Sequence, residues 1–315
     1  MSCYSPIQAW RGKPNGNGKY PLVFKREFAF LDYPGDIDLK VPCNQCIGCR
    51  LEYSRQWAIR CMHESSMHAE NSFITLTYND KFLPKNSSLD YVHWTKFMKR
   101  LRKRFTGVKI RFFMGAEYGF LSNRPHYHAL LFGLDFPDKV LFSIRNDYRL
   151  YVSDILSKLW SCSKTGESYG FCSVGSCTFE SAAYVARYML KKVKGEDLTM
   201  RYFSDVDIET GECFKLEPEK ARMSNRPGIA RDWFDRFYTD IYDISKDFVV
   251  LDGKKVRPPR YYDKLYQEMS PDVFESIKAQ RVLDSEKFES NNTPDRLLVR
   301  RTVKEAQLSR LVREL

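Results

Sequence analysis

The sequence predicts an α+β fold, a central antiparallel β-sheet flanked by helices. Three observations carry this expectation. The runs Phe73–Tyr78 and Lys109–Glu117 are alternating and rich in β-branched and aromatic residues, as half-buried strands are. Between them, Tyr91, Trp94, Met98, Leu101 and Phe105 fall at i, i+3, i+7, i+10 and i+14, one apolar stripe on a helix from about Asp90 to Phe105. A third strand-like run, Arg124–Gly133, follows the second after a short turn segment with Gly119, the spacing of an antiparallel pair.

Composition bounds the rest. A chain of 315 residues can bury a substantial core, and 43% hydrophobic with 15% aromatic content excludes a disordered polymer. The net charge of +11 favours a polyanionic partner, nucleic acid before an anionic membrane. No apolar run approaches the ~20 residues of a membrane span. Met1–Pro6 lacks the charged-then-apolar pattern of a secretory signal, so an intracellular protein with no membrane partner is expected. Nine cysteines in a reducing compartment are expected as thiols or metal ligands rather than disulfides.

Taken in order, residues 1–50 are rich in Gly, Pro, Asn and Cys, with short strand-like pieces at Tyr20–Phe24 and Ile37–Val41, and need a staple. Leu51–Ala69 reads as a helix. The strand Phe73–Tyr78 leads through a polar loop, Asn79–Ser88, into the helix ending near Phe105. Lys96, Lys99, Arg100, Lys103 and Arg104 occupy much of that helix's remaining surface, and their density and single sign point to DNA phosphates. Residues 134–170 read as alternating loop and helix, the clearest helix being Tyr151–Trp160. Cys172–Thr178 reads as a short strand, and Phe179 to about Lys194 as a helix closed by Gly195. After a mixed polar stretch, Arg231–Ile244, Pro271–Lys287 and Pro294–Leu315 read as helices. The expected organisation is a Cys-rich segment with a helix (1–69), a core (70–200) and a mainly helical extension (201–315).

The chemistry concentrates in two places. His126 and His128 lie two apart in a strand, so they share one face while Tyr127 points to the other. If the preceding strand pairs antiparallel, Glu117 falls roughly opposite His126 on the same face. One carboxylate and two imidazoles suit Mg²⁺ or Mn²⁺ with positions left for substrate oxygens. Downstream, Tyr184 and Tyr188 share a helix face with Lys191 three residues further on. A phenol with a pKa near 10 is a weak nucleophile and needs a nearby cation or a metal-polarised electrophile.

Cys43, Cys46 and Cys49 form a tight thiolate set, and zinc wants four ligands. Cys3 is the best candidate for the fourth, with Cys61 and His63 as runners-up. A structural Zn²⁺ leads over an iron–sulfur cluster and metal-free thiols.

The motifs converge on a family. The strand Phe73–Thr77, Glu117 within Gly115–Gly119, His126-Tyr127-His128, and the Tyr184/Tyr188 helix with trailing lysines occur in one order, and the chain resembles the HUH-type rolling-circle replication initiators. Pro42–Arg50 and Ser224–Ile229 make it most similar to the gokushovirus branch of the Microviridae. The core motifs cover about 70–195. The resemblance implies a ferredoxin- or RRM-like core that nicks one strand at the viral origin in the host cytoplasm. Tyrosine would form a 5′-phosphotyrosine, freeing a 3′-hydroxyl for the host polymerase, with a helicase as a further partner, and the displaced strand would be rejoined into a circle. Carried over by position, Glu117, His126 and His128 hold the metal, Tyr184 and Tyr188 are nucleophiles, and Lys191 or Lys192 is the basic helper. Two other readings compete: a non-catalytic zinc-bearing DNA-binding or scaffolding protein, and a metal-dependent nuclease that hydrolyses with water.

Overall fold

The computed structural model describes residues 3–310 apart from 36, 120–121, 146–147, 189–204, 207–212 and 244. Strands β1 (Ile7–Arg11), β2 (Leu22–Val23) and β3 (Asp38–Val41) precede helix α1 (Ile47–Ser65). Then come β4 (Asn71–Leu76), α2 (Tyr91–Arg104), β5 (Arg111–Tyr118), β6 (Pro125–Phe132), β7 (Val140–Arg145), β8 (Tyr148–Val152), α3 (Asp154–Leu159), β9 (Cys172–Gly175) and α4 (Phe179–Tyr188). The remainder holds β10 (Asp205–Val206), β11 (Cys213–Phe214), β12 (Ala221–Met223), α5 (Arg231–Ile241), β13 (Tyr242–Asp243), β14 (Lys246–Asp247), β15 (Val249–Leu251) and β16 (Lys254–Val256). Helices α6 (Arg260–Met269), α7 (Pro271–Glu286) and α8 (Pro294–Ser309) follow.

Seven of these strands form one sheet in the order β12-β5-β6-β4-β9-β8-β7, with every pairing antiparallel. The histidine strand β6 is interior, between β5 and β4. One sheet face carries Ile74, Leu76, Met114, Ala116, Tyr127, Ala129 and Leu131, all buried against the α2 stripe of Tyr91, Trp94, Phe97, Met98 and Leu101. Burial of each large side chain such as Trp94 or Phe97 stabilises the fold by about 1.5–3 kcal/mol. Trp160 and Leu156 extend this core from the α3 side. Tyr127 is fully buried, and its hydroxyl donates to the Asp90 carbonyl at 2.7 Å and accepts from the Asp90 amide at 3.1 Å. Asp90 in turn caps α2 by accepting from the Val92 amide at 2.7 Å. The residue between the two histidines thus anchors α2 to the sheet.

The other face, which carries the histidines, is covered by α4 and by the part of α1 beyond Ser54, where Trp57 stacks on Phe113 with ring centroids 4.8 Å apart. Helices therefore lie on both faces, not on one with only the tyrosine helix opposite.

Two sequence expectations need correction. Residues 134–170 contain the hairpin β7–β8, and helix is confined to Asp154–Leu159. Ser153 sets that start: its hydroxyl accepts from the Leu156 amide at 3.0 Å, so Tyr151 and Val152 stay extended. The hairpin was obscured because its apolar residues do not alternate between core and solvent. Val140, Leu141, Phe142 and Ile144 are all exposed on the edge strand.

The compact units also differ from the three expected segments. One comprises Ser54–Glu275, and the other joins residues up to Tyr53 with residues from Ser276 on. Residues 221–230 belong to the larger unit because β12 pairs with β5 and a buried charge cluster grips the backbone beyond it. Arg111 pairs with Glu64 and donates to the carbonyls of Pro227 (2.9 Å) and Gly228 (3.1 Å). Glu64 also accepts from the Ala230 amide, and Arg60, sandwiched between the rings of Trp57 and Tyr261, donates to the Ile229 carbonyl at 3.0 Å. Burial opposes ionisation of Glu64, but His68, the Ala230 amide and Arg111 outweigh it and hold its carboxyl below the usual range. The Ser224–Ile229 motif is thus a structural clamp point.

His63 makes this unit sensitive to acid. Its ring stacks on Trp233 at 3.5 Å and its Nδ1 meets the Tyr262 hydroxyl at 2.8 Å. Burial pulls its pKa down from 6.5 to about 4. The unfolded chain therefore takes up a proton first. Stability is full above pH ~6.5 and falls as the pH drops toward 4, by about 3 kcal/mol from this residue. Denaturant unfolding at pH 7 and pH 4.5 should show a smaller loss in His63→Gln than in the natural chain; equal losses would remove the assignment.

Candidate active site and cysteine cluster

The hairpin register determines the site. Glu117 pairs with His126 and Gly115 with His128, so the carboxylate and both imidazoles emerge from one face. Their ligand atoms lie within 4.8 Å of one another. Glu117 Oε1 is 2.8 Å from His126 Nε2 and 3.2 Å from His128 Nε2. Glu117 is only 3% exposed and His128 6%. Burial disfavours the Glu117 carboxylate, but hydrogen bonds and charge from His126 and His128 more than offset it, holding its pKa well below the carboxylate range. An ionised carboxylate and two convergent Nε2 atoms fit a divalent cation.

Neighbours aim both rings. His126 Nδ1 donates to the Arg124 carbonyl at 3.0 Å, which turns Nε2 toward Glu117. His128 Nδ1 meets Thr75 Oγ1 at 2.9 Å, and Phe73 stacks parallel to the ring at 5.7 Å. Thr75 and Arg124 are the site residues that sequence reasoning missed. Thr75 lay within a quoted motif, but its contact depends on the β4–β6 register, which pairs Thr75 with His128. Removing such an orienting partner weakens metal binding by roughly 10–100-fold. Thr75→Val should therefore raise the Mn²⁺ dissociation constant by that factor in a calorimetric titration, with an unchanged melting curve. A change below about threefold would refute the orienting role.

Helix α4 brings Tyr184 to this group. Its start is capped reciprocally: the Thr178 hydroxyl accepts from the Ser181 amide at 3.2 Å, and the Ser181 hydroxyl accepts from the Thr178 amide at 2.9 Å. Ala182, Val185 and Ala186 form its buried face, and the two alanines let the helix sit close to β5 and β6. The Tyr184 ring stands edge-on to His128 at 5.0 Å, and its hydroxyl is 3.5 Å from Glu117 Oε1, a weak contact. The Arg187 guanidinium lies 5.5 Å from the Tyr184 ring centroid. Tyr188 is the last residue of α4, and Lys191 and Lys192 lie outside the described residues.

The five basic residues of α2 stand across the sheet from the histidines. Lys96, Lys99, Lys103 and Arg104 are exposed. Arg100 is half-buried and donates to the Ser163 hydroxyl at 3.4 Å.

In the smaller unit, the structure brings Cys3, Cys43, Cys46 and Cys49 together, with all four sulfurs within 4.8 Å of one another. Cys61 is instead buried within α1, and His63 is engaged by Tyr262. Burial resists ionisation of Cys46, but amide donors from Tyr4 and Cys49 and the adjacent thiols bring its pKa down to about 6. Burial and the neighbouring thiols push Cys49 up.

Comparison with known proteins agrees with the arrangement around β4–α4. The model of the replication-associated protein ORF2 family matches residues 71–193. The chain is 30% identical to replication-associated protein ORF2 of Spiroplasma virus 4, over 89% of this chain and 86% of that protein. It is also 30% identical to replication-associated protein VP4 of Bdellovibrio phage phiMH2K, over 91% and 84%. Replication-associated protein ORF4 of Chlamydia phage 1 is 29% identical over 73% of this chain and 54% of that protein. No solved structure matches. Similarity that runs through both compact units, at 30% identity over most of each chain, means that this protein belongs to the family of phage replication-associated proteins.

Proposed function

We propose that the protein initiates replication of a phage genome by nicking one DNA strand through tyrosine transesterification, and that it later rejoins the displaced strand. The observation that carries this reading is the Tyr184 hydroxyl 3.5 Å from a carboxylate shared by two histidines. Glu117, His126 and His128 would hold Mg²⁺ or Mn²⁺, which when bound supplies Lewis-acid polarisation of the scissile phosphate. The chain's own part is positional. The buried β5–β6 pair fixes the ligand face, and α4 directs the phenol toward it. Attack by the Tyr184 oxygen forms the phosphotyrosine bond as the bond from phosphorus to O3′ breaks. The phenol gives up its proton and the departing 3′-oxygen gains one, leaving a primer for the host polymerase. The phosphodiester count is unchanged, so rejoining by the 3′-hydroxyl needs no nucleotide cofactor. Tyr188 supplies a second nucleophile in this reading, and Lys191 or Lys192 a helper cation. The α2 cations act on affinity rather than on the chemical step, because they lie on the far side of the sheet. A host helicase would be a further partner.

The test is incubation with single-stranded origin DNA and Mn²⁺, followed by denaturing electrophoresis. A denaturation-resistant protein–DNA band is expected. Cutting without a band would favour water-driven hydrolysis, and DNA binding with neither would favour a non-catalytic binding protein.

A further inference from the structure

We propose that Cys3, Cys43, Cys46 and Cys49 bind one zinc ion as a tetrathiolate, and that this ion clasps the C-terminal helix α8 to the N-terminal segment. The two metal centres share no residue, so this inference stands apart from the nicking reading.

Distances carry the first half. With zinc–sulfur bonds of about 2.3 Å, the edge of a tetrahedron is about 3.8 Å. Cys3 Sγ lies 3.6 Å from Cys43 Sγ and 3.9 Å from Cys46 Sγ. A disulfide needs sulfurs about 2 Å apart, so these are reduced sulfurs arranged around a shared centre. The small span among the four leaves room for one ion and none for a multinuclear cluster. An all-thiolate set is soft and rejects Mg²⁺, Ca²⁺ and Mn²⁺.

The surroundings are those of sulfurs that carry charge. Backbone amides of Cys43 (to Cys3 Sγ, 3.3 Å), Cys46 (to Cys43 Sγ, 3.3 Å), Gln45 (to Cys43 Sγ, 3.5 Å) and Tyr4 (to Cys46 Sγ, 3.3 Å) all donate to sulfur. Four thiolates around a divalent ion leave a net charge of −2, which such donors spread.

The second half follows from what faces the cluster. Residues up to Tyr53 and those from Ser276 on form one compact unit, although they are opposite ends of the chain. The Arg300 guanidinium of α8 lies 5.8 Å from the ring centroid of Tyr4, the residue whose amide donates to Cys46. Arg301 pairs with Glu305 at 2.9 Å, and both line one cleft with Gln45 and Arg50 of the cysteine loop. Arg301 is held in its charged form by Glu305 first, and then by Cys46 and Cys43. Loading the cluster therefore places negative charge under the cationic side of α8, and emptying it removes both the cross-link between Cys3 and the loop and that attraction.

The full-length protein should contain one zinc whose X-ray absorption edge reports four sulfur neighbours at about 2.3 Å. A first shell of nitrogen and oxygen would overturn the site. Cys43→Ser should lose that zinc; retention of a full equivalent would overturn it as well. Because that variant could fail to fold, the clasp is read separately on the natural chain. Stripping zinc with a chelator should speed limited proteolysis within residues 294–309 by about tenfold or more, with restoration on adding Zn²⁺. Arg301→Glu should speed the same cleavage without changing the zinc content. Unchanged cleavage in both arms would refute the clasp while leaving the metal site.

Discussion

Tyr184→Phe is expected to abolish the first covalent protein–DNA adduct and to lower the nicking rate by at least about 10³-fold, ~4 kcal/mol in transition-state stabilisation. The substitution deletes one oxygen. Its contact with Glu117 is long, at 3.5 Å, so little stability is lost with it, and the ring keeps its edge-on packing against His128. The melting temperature and the affinity for origin DNA should therefore stay near those of the natural chain while the adduct disappears. Denaturing gels of labelled DNA give the readout. Should Tyr184→Phe still form the adduct and Tyr184→Phe with Tyr188→Phe not, Tyr188 makes the first cut. An adduct in the double variant would remove tyrosine chemistry from the proposal altogether.

The second large effect is expected at the histidines. His128→Ala should weaken Mn²⁺ binding by at least about 10²-fold and reduce nicking by a similar factor at subsaturating metal. His128 is buried under Phe73 and Tyr184, so the alanine variant also leaves a cavity. His128→Gln keeps most of the volume and should show the same metal defect with less loss of stability. Raising Mn²⁺ should restore part of the activity in both variants. Full activity of either at micromolar Mn²⁺ would show that the imidazole is not a ligand. Tyr184→Phe, by contrast, should bind Mn²⁺ normally, which separates the metal site from the nucleophile.

The parts of the site that were legible in the sequence are those set by local geometry. A period of two places His126 and His128 on one face whatever surrounds them. A short connection brings Glu117 to the same place, and the observed register pairs it with His126. Cys43, Cys46 and Cys49 are close in space because they are close in sequence. Elements whose patterning matched their burial, such as the α2 stripe, were equally legible. The hairpin β7–β8 was not, because its exposed apolar edge breaks the alternation that marks a strand.

What the sequence determined by itself is the set of reactive groups and their local presentation: two imidazoles and a carboxylate on a strand pair, phenols on one helix, and three clustered thiols. The tertiary structure decided which groups meet across long separations. Thr75 orients His128 from 53 residues away, Glu64 and Arg111 grip the backbone at 227–230, and Cys3 reaches Cys43 across 40 residues. It also joined the two chain ends in one unit, across the sequence boundaries that composition suggested. The physical reason is that side-chain periodicity is a property of one element, whereas register and docking depend on which apolar faces bury one another. That choice is made by the whole core and is written in no single segment.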